Sequence, residues 1–176
     1  NDGVETWINA EDSDITGYEF NFQQDFEFLP APFDGMFIAL NLTWTDGDST
    51  FKFEDNQSFT TPFRKLSDKQ ENFSIGYDKG KFDIRLAMNS RGEYLDWLAD
   101  EESDIDKVSL QNSRFVAPHE QWDLKASYEI NDNFRLKFEI TNIEDRPEYY
   151  YWGYNDRLSQ YDEYGTSYAI GFTYNN

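Results

Sequence analysis

The strongest constraint on the fold is the alternation of side chains in FRLKFEIT, residues 134–141. Phe134, Leu136, Phe138 and Ile140 take every second position, and charged residues or a threonine stand between them. Successive side chains of a β-strand point to opposite faces, so this segment predicts a strand with one apolar and one polar face. Such a strand fits a half-buried sheet in a soluble sandwich, or the wall of a membrane barrel between lipid and water.

The same alternation recurs in six other segments. Several of them reach about ten residues, the length with which a tilted strand crosses a bilayer. The predicted strands are 18–28, 36–45, 71–77, 82–91, 122–130, 134–141 and 167–174.

The connections between these strands alternate in length. Short turn-forming connections occur at 29–35, 78–81 and 131–133, and long polar ones at 46–69, 98–121 and 145–165. Short turns on one side and long loops on the other are typical of outer-membrane barrels, so we predict that these long segments and residues 1–14 are extracellular loops. The predicted fold is an all-β, transmembrane antiparallel β-barrel. Because bacterial barrels have an even number of strands, about seven strands indicate one incomplete domain, 1–176, of a larger barrel.

Composition excludes several other classes of protein. Aromatic residues make up 19% of the chain, which argues against disorder, and a net charge of -20 argues against binding to nucleic acid. The chain has no cysteine and only one histidine, His119, so we predict no disulfide, no catalytic triad, no cofactor and no metal site. His119 is expected to be an ordinary loop residue. The acidic runs at 46–48 and 100–104 are expected to be solvated loops rather than calcium sites.

Several segments, taken in order, resemble the C-terminal part of the barrel of TonB-dependent outer-membrane receptors. They are ITGYEF (15–20), FLP (28–30) with DG (34–35) and ALNLT (39–43), SRGEYL (90–95), DLKASY (123–128), LKFEITNI (136–143), DRP (145–147), and YDEYG (161–165) leading into AIGF (169–172).

The resemblance implies the last seven strands of a barrel of about 22, with a plug domain inside it that is not in this chain. It implies a location in the outer membrane of a Gram-negative bacterium, and import of a scarce nutrient, a carbohydrate or a metal chelate such as a siderophore, with energy from TonB. The implied partners are the remaining barrel strands and plug, the TonB complex through that plug, outer-membrane lipid, and a small-molecule or oligosaccharide ligand. Two alternatives stay open: a complete small outer-membrane barrel acting as an adhesin or structural protein, and a soluble glycan-binding sandwich.

Ligand-binding candidates lie in two aromatic stretches. The first holds Tyr150, Trp152, Tyr154 and Arg157, and the second holds Tyr94 and Trp97. Flat rings stack on ligands and charged groups bind hydroxyls or carboxylates, although amphipathic rings also collect at membrane interfaces. Four cationic residues are predicted to face the barrel lumen and to pair with acidic wall or plug residues: Arg85, Arg91, Arg135 and Lys137.

Overall fold

The computed structural model describes residues 12–52, 58–99 and 109–175, and twelve β-strands form the framework of these residues. Two short 3-10 turns, Phe33–Gly35 and Leu110–Asn112, accompany the strands. No helix in this part of the chain has the length and apolar character needed to cross a membrane. The strands are β1 (Asp12–Asp25), β2 (Met36–Lys52), β3 (Ser58–Pro62), β4 (Lys69–Lys79), β5 (Phe82–Arg91), β6 (Tyr94–Trp97), β7 (Arg114–Val116), β8 (His119–Asn131), β9 (Phe134–Thr141), β10 (Glu148–Trp152), β11 (Leu158–Asp162) and β12 (Ser167–Tyr174).

Seven of the strands form the main sheet, in the order β1-β2-β4-β5-β8-β9-β12. All neighbours are antiparallel, and each of the seven pairs with the next one along the chain. The short strand β3 pairs with the far end of β2. This meander confirms the seven predicted strands and their short connections. Within the described residues the sheet is open, because β1 and β12 each have a main-sheet neighbour on one side only.

The register of the main sheet separates apolar from polar side chains. Directly opposite residues of antiparallel strands share a face, and the apolar positions of neighbouring strands stand opposite one another. On the apolar face, Ile170 is 78% exposed and Phe172 is 72% exposed. Such exposed apolar surface is what a wall in contact with lipid requires, as the alternation predicts. One row of this face is Ile38, Ile75, Leu86, Leu124, Ile140 and Tyr168.

The polar face contains a close contact between an aromatic ring and a glycine. Phe37 stands opposite Gly76, and a Cβ added to Gly76 would lie 2.4 Å from the Phe37 ring. The Arg85 guanidinium lies 6.0 Å from the centre of the same ring and donates a hydrogen bond to the Ser74 hydroxyl at 3.0 Å. The missing side chain at Gly76 therefore makes room for Phe37 on the polar wall.

The strands extend further than the sequence predicts. β1 begins at Asp12, inside the predicted loop 1–14, and β2 continues to Lys52, inside the predicted loop 46–69. The acidic run 46–48 is thus part of a strand rather than a loop, because its backbone pairs with β1, and the run 100–104 lies outside the described residues. The prediction that His119 is a loop residue is wrong, since it is the first residue of β8 and pairs with Arg91.

The long connections contain a second sheet instead of irregular loops. This small sheet has the order β11-β10-β7-β6, and it draws its strands from two connections of the main sheet, β5 to β8 and β9 to β12. A bulge interrupts β6 between Leu95 and Trp97, and another interrupts β11 at Ser159, opposite Tyr150 and Tyr151 of β10. Bulges and three-residue strands weaken the alternation that a sequence displays, which explains why the sheet was not predicted. The extracellular position of these connections stays a prediction.

The contact at Gly76 predicts a position-specific cost of a single methyl group. Gly76→Ala in the purified protein should lower the free energy of unfolding by about 1–3 kcal/mol, because Phe37 or the strand must move. Gly171→Ala is the matched control, since Gly171 lies on the same face of β12 and a Cβ there would meet no atom within 4 Å. Thermal unfolding of the purified protein in detergent measures both changes. Equal effects of the two substitutions would contradict this account of Gly76.

Candidate functional site: an aromatic platform on the small sheet

One face of the small sheet is buried. Leu95 of β6, Phe115 of β7 and Tyr151 of β10 stand in one row on this face, and Leu95 and Tyr151 are buried. The rings of Phe115 and Tyr151 stack at 5.6 Å. Leu95 and Leu98 pack against a group of partly buried apolar residues that includes two from the β2–β3 hairpin, which anchors the small sheet to the main sheet. The group is Phe51, Phe59, Leu110 and Phe115.

The opposite face of the small sheet carries four of the predicted site residues. Tyr94 and Tyr150 both pair with Val116, and Trp97 and Trp152 both pair with Arg114. The two indole rings meet edge to face, with their centres 5.7 Å apart and their planes at 89°. We call the four aromatic residues of this face the aromatic platform: Tyr94, Trp97, Tyr150 and Trp152.

Two ion pairs border the platform, and each places a guanidinium beside a tyrosine. Arg91 lies 5.1 Å from the Tyr94 ring centre and 3.4 Å from Glu148. Arg114 lies 5.4 Å from the Tyr150 ring centre, and its Nε donates to Asp96 at 2.7 Å. Because each cation has a carboxylate partner, the platform has little net charge of its own.

Hydrogen bonds hold the two central tyrosines in different ways. The Tyr150 hydroxyl donates to Glu148 at 3.2 Å, and burial together with the Glu148 charge raises the pKa of Tyr150 to about 12. The Tyr151 hydroxyl donates to Glu93 from the buried face, where burial and this hydrogen bond also raise the pKa of Tyr151. Both phenols are therefore neutral donors at physiological pH.

The remaining two predicted site residues lie on the turn between β10 and β11. Tyr154 is 53% exposed, whereas the Arg157 guanidinium donates a hydrogen bond to the Gln111 carbonyl at 2.8 Å. Gly153 has a φ of +65°, and a Cβ there would lie 2.1 Å from the same carbonyl oxygen. Only glycine lets the turn approach this closely. Tyr154 and Arg157 thus flank the platform without contributing to its row of rings.

The structure also identifies site residues that the sequence analysis missed. Arg114 and Val116 connect the two aromatic stretches, yet the three-residue strand that holds them shows too little alternation to be recognised. Of the four predicted lumenal cations, Arg91 pairs with Glu148, Arg135 pairs with Glu129, and Arg85 bonds to Ser74. Within the described ranges, no group of three or more His, Cys, Asp or Glu residues has the arrangement of a metal site.

The raised pKa of Tyr150 predicts a pH dependence. Its folded pKa lies above the ordinary value of about 10, so its contribution to stability is complete below pH 10 and is lost as the pH rises through about 12. In the purified protein, the tyrosinate absorbance of the wild type minus that of Tyr150→Phe should give a titration with a midpoint near 12. A midpoint near 10 would contradict the burial of this hydroxyl.

Comparison with known proteins identifies the family of the chain. Residues 1–143 match the family model described as TonB dependent receptor-like, beta-barrel. Comparisons with curated proteins and with solved structures gave no match. The matched range contains β1 to β9, and therefore includes all but one of the main-sheet strands. The chain belongs to the TonB-dependent receptors, a family of outer-membrane transport proteins, and forms part of their antiparallel β-barrel.

Proposed function

We propose that this chain is part of a receptor that captures a scarce nutrient, a carbohydrate or a metal chelate, and imports it with energy delivered by TonB. The receptor lies in the outer membrane of a Gram-negative bacterium, with the small sheet on the extracellular side. The family match supports the transport role, and the exposed apolar face of the main sheet supports contact with lipid. The open edges of β1 and β12 pair with other strands of the same receptor, because unpaired backbone groups are costly in lipid.

The observation that supports a capture site most directly is the meeting of Trp97 and Trp152. These residues come from two aromatic stretches that are distant in the sequence, and their rings form one surface with Tyr94 and Tyr150. Trp97 is 41% exposed, so part of this surface is open to a ligand. Aromatic rings provide stacking area, and the neighbouring ion pairs provide fixed donors and acceptors. Tyr154 and Arg157 are proposed as additional contacts at the edge of the platform.

An interfacial girdle is the competing explanation for these aromatic residues. Girdle rings belong on the lipid-facing surface, as do the exposed Tyr18 and Tyr168 of the main sheet. Tyr94, Tyr150 and Trp152 are half-buried, and Tyr94 lies beside Arg91, which stands on the polar face of β5. This position favours a ligand surface.

Loss of either indole should weaken capture. We expect Trp97→Ala and Trp152→Ala each to lower the affinity of the full receptor about tenfold for the probe that it binds, and the double variant to lose little more, because the two rings share one contact surface. Suitable probes are maltohexaose, cellohexaose and xylohexaose for the carbohydrates, and ferrichrome and ferric citrate for the chelates. Calorimetric titration of the purified receptor measures the affinity.

Trp44→Ala is the matched control. Trp44 is 40% exposed, close to the 41% of Trp97, but it stands opposite Tyr18 on the apolar face of the main sheet. The Trp44→Ala variant should leave the affinity for the probe unchanged. A similar loss in the control would show that the effect is a general one on the barrel.

Energy coupling requires a separate experiment. Cells that produce the receptor should bind the radiolabelled probe with or without a functional TonB protein, but accumulate it only when TonB is present. Accumulation in cells that lack TonB would overturn the proposed import mechanism.

A further inference from the structure

A row of uncharged amide side chains crosses the polar face of the main sheet. Its members stand directly opposite one another on five adjacent strands, so the row spans roughly 19 Å at the usual strand separation. Three of them, Asn21, Asn72 and Asn89, are exposed. The amide row consists of Asn21, Asn41, Asn72, Asn89 and Gln121.

Hydrogen bonds hold the amide side chains at the β1 end of the row in place. Toward β5, amide donors and acceptors remain unused by the described residues. Asn72 donates to Asn41 at 3.3 Å, and Asn41 donates to Asn21 at 2.5 Å. Gln121 donates to Asp123 at 2.9 Å, whereas Asn89 makes no side-chain hydrogen bond to the described part of the chain. Asn72 and Asn89 are direct neighbours on the polar face, so their remaining amide donors and acceptors lie close together.

A depression of about 410 Å³ lies next to the row. Its floor is the adjoining row of small side chains, where Ala39, Ser74 and Ala87 stand opposite one another. Arg85 borders the depression on the far side and is tied to Ser74 by a hydrogen bond. The small residues thus create a concave polar surface below the amides, with space for a ligand.

The chemistry of this surface selects for hydroxyl groups. A primary amide carries both a donor and an acceptor, as a hydroxyl does, and it adds no charge. Arg85, the cation at the border of the depression, is held by its hydrogen bond to Ser74, and the amide row itself contains no cation for an anionic chelate. Glu19, which accepts hydrogen bonds from Asn21 and Asn41, places a carboxylate beside the row in a chain with a net charge of -20, so an anionic ligand is repelled. A neutral ligand rich in hydroxyls avoids this repulsion and satisfies amide donors and acceptors alike.

We infer that the amide row and its depression form a second subsite, which binds a neutral, hydroxyl-rich ligand of the oligosaccharide class. The inference rests on the proposed function, because the ligand reaches this subsite from the aromatic platform. Tyr94 follows Asn89 by five residues, so the two sites are at most about 17 Å apart along the chain. An extended oligosaccharide contacts both subsites, whereas a disaccharide occupies the platform alone.

The test compares ligands of two lengths in the full receptor. Titrations use maltohexaose, cellohexaose and xylohexaose, the disaccharides maltose, cellobiose and xylobiose, and the chelates ferrichrome and ferric citrate. The isosteric double variant N72L/N89L should weaken hexasaccharide binding about tenfold, since two ligand hydrogen bonds are lost, and should leave the affinity for the matching disaccharide unchanged. The double variant N72S/N89S keeps a polar group at both positions but on a shorter side chain. It should weaken hexasaccharide binding less than N72L/N89L does.

Thr173→Val is the control on the same face, because it removes a hydroxyl from β12, away from the depression. The Thr173→Val variant should change neither the hexasaccharide affinity nor the disaccharide affinity. Unchanged hexasaccharide affinity in N72L/N89L overturns the inference, and a lower melting temperature with unchanged affinity shows that the row supports polypeptide inside the barrel instead.

Different experimental results would overturn the inference and the proposed function. Binding of a ferric chelate but of no hexasaccharide overturns the inference and leaves the proposed import function standing. Binding of a hexasaccharide whose accumulation does not require TonB overturns the import mechanism and leaves the subsite standing.

Discussion

The register of the main sheet is the constraint on which the other features depend. Side chains alternate with a period of two, so a slip of one residue between neighbouring strands would move an entire apolar set to the polar face. Rows such as Ile38, Ile75 and Leu86 stay aligned because the backbone pairing of these strands is continuous, and a two-residue turn between β4 and β5 fixes the register of that pair. In lipid the pairing is also obligatory, since no water is available to satisfy an open backbone group. Backbone pairing and side-chain segregation therefore impose the same alignment.

The small sheet keeps its apolar residues together in a different way. Its strands are short, two of them are bulged, and they bury Leu95 against the β2–β3 hairpin and Tyr151 against Phe115. Burial of this face leaves the other face available for Tyr94, Trp97, Tyr150 and Trp152. Arg91 connects the two sheets, because it belongs to the polar face of β5 and reaches both Tyr94 and Glu148. The platform is thus positioned by a core behind it and by an ion pair at its base.

The sequence predicted those parts of the fold that repeat a local rule. Strand β9 was identified in full, because Phe134–Thr141 alternates without interruption, and the apolar and polar faces of all seven main-sheet strands were assigned correctly. The small sheet was missed because β7 has only three residues and because β6 and β11 are bulged. The six site residues were chosen for their chemistry alone. Nothing local in the sequence shows that Trp97 and Trp152 meet, since Arg114 brings them together from a third segment.

The amide row illustrates a further limit of reading strands one at a time. Each of Asn21, Asn41, Asn72 and Asn89 is unremarkable in its own strand, where it occupies one polar position among several. Only the pairing of the strands places them opposite one another, and this alignment converts separate side chains into a continuous surface. The same alignment puts small residues in the next row, so concavity and hydrogen-bonding capacity arise together. Because amide side chains carry no charge of their own, the selectivity of such a track among neutral ligands depends on hydrogen-bond geometry and on the length of the ligand.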